Sequence, residues 1–338
     1  MRILLSEAET WEKALFEKAL AGHVLINWPA PVLADHLPVE RDIQALAVFV
    51  NSRLTRETLA TFANLKFIAT RSTGFDHLDL AACKERGILV ANVPSYGQHT
   101  VAEYTFALLL EITRKVGLAY ASTQRFGFAL TDDMRGQDLF GKVLAVVGTG
   151  RIGANVAQIA RGFGLRVLCV DAHPNQILCD QGFGYCDLDT ALSEADIITF
   201  HVPALPSTHH LLNQERVAKL KPGVFIVNTS RGPVIDTAAL IWGLKQKIIA
   251  GAALDVLEEE GALAHANDLG FLNTDRPDSE QLKIILEDEY LINHPQVIIT
   301  PHNAFNTQEA VTRIAQTSID NIKAFIEGKA VNLVVLPS

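Results

Sequence analysis

The sequence predicts an α/β protein of two domains, one with a doubly wound parallel sheet and one with a smaller sheet. Short apolar segments alternate with helical patterns along the chain, which is typical of parallel sheets covered by helices. A glycine-rich motif near the middle begins a second series of such units. The length of 338 residues is sufficient for two domains of ordinary size.

The first part of the chain predicts a small α/β domain. A helix is expected over Glu7–Leu20, with Ser6 and Glu9 as its capping box. Residues His99–Phe126 predict one long helix, apolar on much of its surface, so we expect it to be buried against another domain or subunit. Short strands are expected at residues 1–5, 23–27, 46–51, 66–71 and 88–92.

The segment Val143–Asp171 carries the most specific signal. An apolar run is followed by Gly148, Gly150 and Gly153, then by a helical pattern and a second apolar run that ends at Asp171. This order is that of a dinucleotide-binding βαβ unit, in which the glycines permit a tight turn, close approach to a pyrophosphate and close helix packing. The helix start, with Arg151 and Ile152, offers N–H groups to the phosphates. A carboxylate at the second strand end binds ribose hydroxyls and repels a 2′-phosphate, so Asp171 favours NAD over NADP.

Six strands are predicted from Val143 onward, at residues 143–147, 167–170, 197–201, 224–228, 250–254 and 297–300. Arg231, Asp255 and His302 follow or end the last three of them. Because ligands bind beyond the carboxyl ends of the strands in such sheets, these side chains are expected near the reactive end of the cofactor.

The domain limits follow from this alternation. Residues 1–98 and 303–338 are predicted to form the substrate domain, and residues 99–302 the NAD-binding domain. The crossings near Gln98 and Pro301 are expected to act as hinges that close the cleft over the substrate.

Composition excludes several classes of function. The net charge of −9 argues against nucleic acid or an anionic membrane as a partner. The four cysteines show no metal-binding pattern, so we predict reduced thiols, no metal and a cytosolic location.

The polar residues fit a hydride transfer to a 2-keto acid. The substrate carboxylate needs a cation, for which Arg231 offers a planar fork. The developing alkoxide needs a proton donor, for which His302 is suitable. A carboxylate from the run Glu258, Glu259 and Glu260 could orient the imidazole.

At these residues the chain resembles the D-isomer-specific 2-hydroxyacid dehydrogenases. The similarity covers nearly the whole sequence, and its motifs include residues 71–80, 92–103, 146–153, 201–213, 227–240, 251–260 and 300–305. It implies a Rossmann coenzyme domain, a flavodoxin-like substrate domain, and a homodimer that pairs through the helical region 99–126.

The resemblance also implies roles for individual residues. Arg231, Glu260 and His302 match the catalytic arginine, glutamate and acid/base histidine, and Asp255 matches a contact on the nicotinamide side. The other matched positions are Val202, Pro203 and Thr208 beside the adenosine, Thr229 and Ser230 beside the nicotinamide, and Thr73, Gly74, Tyr96 and Phe305 at the substrate. His77, His173, His201, His209 and His210 are expected to be structural or polar loop residues.

Two departures narrow the expected substrate. An acidic insert follows Glu260, and Phe305 replaces a smaller residue, and both features look like the D-lactate dehydrogenase branch. We therefore expect pyruvate or a similar small 2-keto acid. The alternatives are a glyoxylate or hydroxypyruvate reductase, or an NAD(H)-sensing corepressor-like binding protein.

Overall fold

Two compact units make up the chain. The computed structural model describes residues 1–258, residue 260 and residues 279–336. The first unit comprises Met1–Tyr96 with Asn306–Ser338, and the second comprises Gly97–Phe305. The domain limits predicted above differ from these by two residues at the first crossing and three at the second.

The first unit is built on a five-stranded parallel sheet. Its strand order is β2-β1-β3-β4-β5, which is the flavodoxin-like order. Its elements are β1 Arg2–Ser6, α1 Thr10–Ala19, β2 Val24–Trp28, β3 Ala45–Val48, α2 Arg56–Ala60, β4 Phe67–Thr70, α3 Leu80–Glu85, β5 Leu89–Ala91 and a C-terminal helix, Gln308–Ile326.

The C-terminal helix packs on this sheet. Its residues Ile319 and Ile322 are fully buried in one cluster with Phe16 of α1. Beside them, the ring of Phe325 stacks on Phe67 of β4 with centroids 4.4 Å apart. Beyond this helix, Leu333 forms an isolated antiparallel bridge to β5.

The predicted start of α1 was wrong. Ser6 belongs to β1, is fully buried, and donates its hydroxyl to the carbonyl of Ala47. The capping box is formed instead by Glu9 and Glu12, whose carboxylate accepts from the Glu9 N–H at 2.9 Å. Burial of Ser6 at the end of β1 therefore outweighs the preference of serine for a helix N-cap.

The second unit holds a seven-stranded parallel sheet. The six strands expected from the sequence are present, and the two-residue β8 extends the sheet beyond β7. The strand order is β12-β11-β10-β9-β6-β7-β8, so the order reverses between β6 and β9. Its elements are α4 Gln98–Arg114, α5 Val116–Phe126, β6 Val143–Val147, α6 Arg151–Gly162, β7 Arg166–Val170, α7 Gln176–Asp180, β8 Gly184–Tyr185, α8 Leu188–Glu194, β9 Ile197–Phe200, α9 Gln214–Val217, β10 Val224–Asn228, α10 Thr237–Lys245, β11 Ile249–Leu254, α11 Ser279–Ile292 and β12 Val297–Ile299.

Helices cover both faces of this sheet, as a doubly wound fold requires. Phe106 of α4 and Val156 of α6 are buried on one face with Val146. Leu240 of α10 is buried on the other face with Val147. Neighbouring residues of β6 thus point into opposite cores, so the strand is apolar throughout.

The single long helix predicted at His99–Phe126 is two helices. α4 ends at Arg114, and Lys115 adopts a left-handed backbone with φ of 55° before α5 begins. α4 has nine buried residues, several of which lie in the core of its own unit, but α5 has none. The expected burial against another domain or subunit stays a prediction.

Within the described parts of the chain, none of the helices combines the length and the apolar character that crossing a bilayer would require.

Candidate active site

The glycine motif forms the turn between β6 and α6. Gly148 has φ of 91°, and a Cβ there would lie 2.7 Å from the backbone of His201. A Cβ on Gly153 would lie 1.9 Å from the carbonyl oxygen of Gly148, so only glycine allows this close packing. A Cβ on Gly150 would meet no atom within 4 Å. The turn therefore leaves open space beside the backbone at Gly150, where α6 begins with Arg151 and Ile152.

Asp171 lies just beyond β7 and is bonded to this turn. Its Oδ2 accepts from the Thr149 N–H at 2.6 Å and from the Thr149 hydroxyl at 3.1 Å, and its Oδ1 accepts from the His173 N–H at 2.9 Å. A carboxylate has about four acceptor positions, so capacity remains for a ribose hydroxyl.

Two residues that sequence reasoning missed complete this network. The Tyr185 hydroxyl donates to Thr149 Oγ1 at 2.9 Å and accepts from the Asn175 N–H at 2.9 Å. The Asn175 amide donates to the Thr149 carbonyl at 3.0 Å. Burial raises the pKa of Tyr185, so its hydroxyl remains a donor. Both residues are distant from the glycine motif in sequence, so no sequence pattern indicated this contact.

The loop after β9 carries Val202, Pro203 and Thr208, the residues expected beside the adenosine. The Thr208 hydroxyl donates to the Pro203 carbonyl at 2.6 Å and accepts from the Leu205 N–H at 2.9 Å. This serine/threonine-type turn fixes the loop locally. The same hydroxyl contacts the Leu205 carbonyl at 3.1 Å.

His201, at the start of that loop, is half-buried, and its Nδ1 is shielded from solvent. Burial lowers the pKa of its imidazole to about 3. Its Nε2 lies 2.9 Å from the Thr199 hydroxyl, and its Nδ1 has no hydrogen-bond partner among the described residues. These properties suit a structural role.

The loop after β10 positions Arg231. Asn228 binds the loop at both ends, because its Oδ1 accepts from the Ser230 N–H and hydroxyl while its amide donates to the Arg231 carbonyl at 2.9 Å. The Thr229 hydroxyl lies 2.9 Å from that of Thr105 in α4. A Cβ on Gly232 would lie 1.9 Å from the Leu257 carbonyl oxygen, so the segment after β11 packs directly against this loop.

Asp255, just after β11, is 1% exposed and organises the loop that carries His302. Its Oδ1 accepts from the Thr300 hydroxyl and the Asn303 N–H, and its Oδ2 accepts from the Ala304 N–H at 2.8 Å. Burial raises the pKa of Asp255, while the hydrogen bonds from this loop act in the opposite direction.

His302 and Glu260 lie together in the second unit. The imidazole Nδ1 is 3.0 Å from Glu260 Oε1, although the residues are 42 positions apart in sequence. His302 has φ of 49°, an uncommon conformation that its N–H stabilises by donating to the carbonyls of Asp255 and Thr300. Since Glu260 contacts Nδ1, Nε2 is the nitrogen placed to exchange a proton with a substrate.

The neighbouring Glu258 differs from what the sequence suggested. Glu258 was expected on a solvated face, but its side chain is 8% exposed and accepts from Thr237 and His210. Glu259 lies outside the described residues, as do residues 261–278 of the acidic insert. Of the two described glutamates of this run, Glu260 is the one bonded to His302.

Three of the expected substrate residues belong to the first unit. The Thr73 hydroxyl donates to the Val93 carbonyl at 2.6 Å, and the Gly74 carbonyl accepts from the Ser72 hydroxyl at 2.6 Å. The carbonyl of Tyr96 accepts from Arg313 at 2.6 Å. Phe305, the fourth, ends the second unit and is half-buried. Their contact with a substrate stays a prediction.

Comparison with known proteins decides the family. Residues 106–304 match the model of the NAD-binding domain of D-isomer specific 2-hydroxyacid dehydrogenases. The chain belongs to this family. It is 36% identical to the D-lactate dehydrogenase of Escherichia coli, with 85% of this chain and 84% of that one covered. It is 38% identical to an aromatic 2-oxoacid reductase of Clostridium sporogenes, with 90% and 89% covered.

A solved structure of the family matches the whole chain. D-lactate dehydrogenase from Aquifex aeolicus, complexed with NAD and lactic acid, has a TM-score of 0.88 at 34% identity, with 99% of this chain and 100% of that chain covered. This 2-hydroxyacid dehydrogenase is therefore an NAD-dependent oxidoreductase with a Rossmann domain, as the sequence predicted.

The residues present fit the dinucleotide. The open space at Gly150 and the N-terminus of α6 suit a pyrophosphate, and Asp171 suits an adenosine ribose. The cofactor would lie along the carboxyl edge of the sheet, where the order of strands reverses between β6 and β9.

Proposed function

We propose that this 2-hydroxyacid dehydrogenase interconverts pyruvate, or a 2-keto acid of similar size, and the corresponding D-2-hydroxy acid. The hydrogen bond between His302 Nδ1 and Glu260 is the observation that supports it most directly. An imidazole held by a carboxylate is suited to give a proton to a carbonyl oxygen and to take it back in the reverse reaction.

The proposed steps divide among three side chains. Arg231 binds the substrate carboxylate and polarises the carbonyl, because its guanidinium offers two parallel N–H donors. When bound beside this edge of the sheet, NADH would supply the hydride for the keto carbon. His302 gives its Nε2 proton to the oxygen, and Glu260 stabilises the imidazolium before that transfer. In the oxidation of the hydroxy acid, neutral His302 accepts the same proton.

Asp255 contributes to this chemistry by positioning His302. Its carboxylate fixes the loop Thr300–Ala304, and the Asp255 carbonyl accepts from the His302 N–H at 2.9 Å. We assign it to holding the imidazole at the strand edge, together with the nicotinamide contact expected from the family resemblance. Thr73, Gly74 and Tyr96 are proposed to contact the substrate as well.

A panel of keto acids tests the proposal. NADH oxidation is followed with pyruvate, 2-ketobutyrate, glyoxylate, hydroxypyruvate and phenylpyruvate, and kcat/KM is expected to be highest for pyruvate or 2-ketobutyrate. The chirality of the product is expected to be D. The highest kcat/KM with glyoxylate or hydroxypyruvate would overturn the substrate assignment, and the absence of turnover with all five would favour a binding protein.

A second candidate, an aromatic 2-keto acid, is favoured by the Clostridium sporogenes reductase at 38% identity. Phenylpyruvate with the highest kcat/KM would support it. In either case His302→Gln is expected to lower kcat by about 10²–10⁴-fold while NADH still binds, because the variant keeps the loop but loses the acid.

The oligomeric state and the cellular location of the protein are proposals as well. We infer a homodimer from the apolar, exposed surface of α5 and the residues after it. A cytosolic location is supported by the four cysteines, all of which are free thiols.

A further inference from the structure

A cluster of two histidines and a glutamate lies in the second unit and shares no residue with the three side chains assigned to the reaction. His209 and His210 belong to the loop after β9, and Glu258 belongs to the segment after β11. One ligand atom from each side chain lies within 4.8 Å of the other two. We call these three residues the His–Glu cluster.

Two members of the cluster are already held in place. His210 Nε2 lies 2.6 Å from Glu258 Oε1, and the two side chains are 33% and 8% exposed. Glu258 Oε2 accepts from the Thr237 N–H at 3.0 Å and from its hydroxyl at 2.7 Å. The carboxylate is thus fixed from behind by the first residue of α10, as metal-binding carboxylates are by their outer partners.

The backbone also holds His210 in an uncommon conformation. Its φ is 47°, in the left-handed region, and its N–H donates to the Pro233 carbonyl at 2.8 Å. Such a conformation is strained for a residue with a side chain and persists where surrounding contacts determine it. The ring of His209 is stacked on that of His210 with centroids 3.9 Å apart, so both imidazoles lie beside one carboxylate.

We propose that the His–Glu cluster binds a divalent transition-metal ion, with Zn²⁺ as the ion of choice. Two imidazoles and one carboxylate form a donor set that zinc uses in proteins, with a fourth position left for water. Zinc bonds of about 2.0–2.1 Å place tetrahedral donors roughly 3.3 Å apart. His209 is the exposed member of the three, so a movement of its ring brings the donors to these distances.

Binding of the metal ion replaces the hydrogen bond between His210 and Glu258 with a metal bond to each of the two side chains. The metal takes the place of the proton between His210 Nε2 and Glu258 Oε1, and any proton released goes to solvent. The ion then links the loop after β9 to the segment after β11. Because it binds the folded chain and bridges two loops, it is expected to raise the unfolding temperature.

The first test is a titration of the untagged protein with ZnCl₂ followed by calorimetry. The expected result is one saturable site per chain that His209→Ala weakens by about tenfold or more. The matched control is His99→Ala, which removes an exposed histidine of α4 and is expected to leave the affinity unchanged. The proposal is overturned if the wild type shows no saturable site, or if both variants bind Zn²⁺ alike and as tightly as the wild type.

A second test separates this cluster from a simple histidine pair. Glu258→Gln and Thr237→Val are each expected to weaken Zn²⁺ binding, the second by about tenfold because it removes an outer partner of the carboxylate. The rise in unfolding temperature on adding Zn²⁺ is measured for each variant relative to its own metal-free state, so that any loss of intrinsic stability is subtracted. An undiminished rise in Glu258→Gln would contradict the proposed donor set.

Discussion

The contact between His302 and Glu260 gives the proposed acid a fixed orientation and a counter-charge. Glu260→Gln removes the charge but keeps a side chain of the same shape. The kcat of keto-acid reduction is expected to fall about tenfold, since the imidazole loses the carboxylate that orients it and balances its charge. The kcat of hydroxy-acid oxidation is expected to fall as well, because the same contact orients the imidazole in both directions.

Measurement of kcat in both directions tests this effect. Glu215→Gln, an exposed glutamate of α9, is the matched control and should leave both rates unchanged. If Glu260→Gln leaves both rates unchanged while Glu258→Gln or Glu259→Gln lowers them, a different glutamate is the partner.

His201 makes stability depend on pH for a different reason. Its pKa is lowered to about 3 by burial, whereas an unfolded chain has the ordinary value of 6.5. The unfolded state therefore binds the proton first as pH falls, and this residue destabilises the fold progressively below pH ~6.5. Between pH 7 and pH 5 the contribution is about 2 kcal/mol.

Urea unfolding at the two pH values tests this prediction for His201. His201→Gln has no titrating group and should lose about 2 kcal/mol less than the wild type over that interval. His99→Gln, at an exposed position, should behave like the wild type. An equal loss in His201→Gln and the wild type would show that His201 does not titrate as a buried group.

In the turn between β6 and α6, one substitution is expected to weaken cofactor binding with little effect on the free energy of unfolding. Gly150→Ala adds a methyl group where no protein atom lies within 4 Å, so the free energy of unfolding should change by no more than about 1 kcal/mol. The methyl group would occupy the space assigned to the pyrophosphate. The dissociation constant for NADH, measured by fluorescence, should therefore rise about tenfold or more.

Gly162→Ala is the control for the same helix. Gly162 lies at the opposite end of α6, and a Cβ there also meets no atom within 4 Å. NADH affinity should be unchanged, and the higher helix propensity of alanine favours the fold. Equal NADH affinity in Gly150→Ala and the wild type would contradict the assignment of the turn to the pyrophosphate.

Elements defined by local signals were predictable, and those defined by distant contacts were not. The glycine spacing placed the β6–α6 turn correctly because each glycine answers a local steric demand. The break at Lys115 had no such signal. It is stabilised by Glu111, whose carboxylate accepts from the Gly117 N–H at 2.7 Å and satisfies a donor at the start of α5. Helical periodicity continues across the break, so the sequence predicted one helix.

At the scale of the whole molecule, the sequence predicted which strand ends carry the site but not how their side chains interact. Parallel strands place Arg231, Asp255 and His302 at one edge of a sheet, and that follows from topology alone. The burial of Glu258 and the role of Asp255 in holding the loop before Ala304 depend on side-chain contacts across 21 to 49 residues of chain. No periodicity reports such contacts.

The apolar surface around α5 predicts that the protein is a homodimer. Within the second unit α5 buries none of its residues, and Phe126, Phe128 and Leu130 are 71%, 103% and 90% exposed. Large apolar side chains concentrated on one segment are typical of protein interfaces. A second copy of the chain would remove them from water, in keeping with the family resemblance.

Sedimentation velocity at micromolar concentration checks this, with a dimer expected for the wild type. Phe128→Glu and Leu130→Glu should each shift the population toward monomer, because a charge buried in an apolar interface costs several kcal/mol. Val39→Glu is the matched control, since Val39 is an isolated apolar residue of the first unit that is 94% exposed, and it should remain dimeric. A wild type that sediments as a stable monomer would rule out the dimer, and a dimer that withstands both substitutions near α5 would place its interface elsewhere.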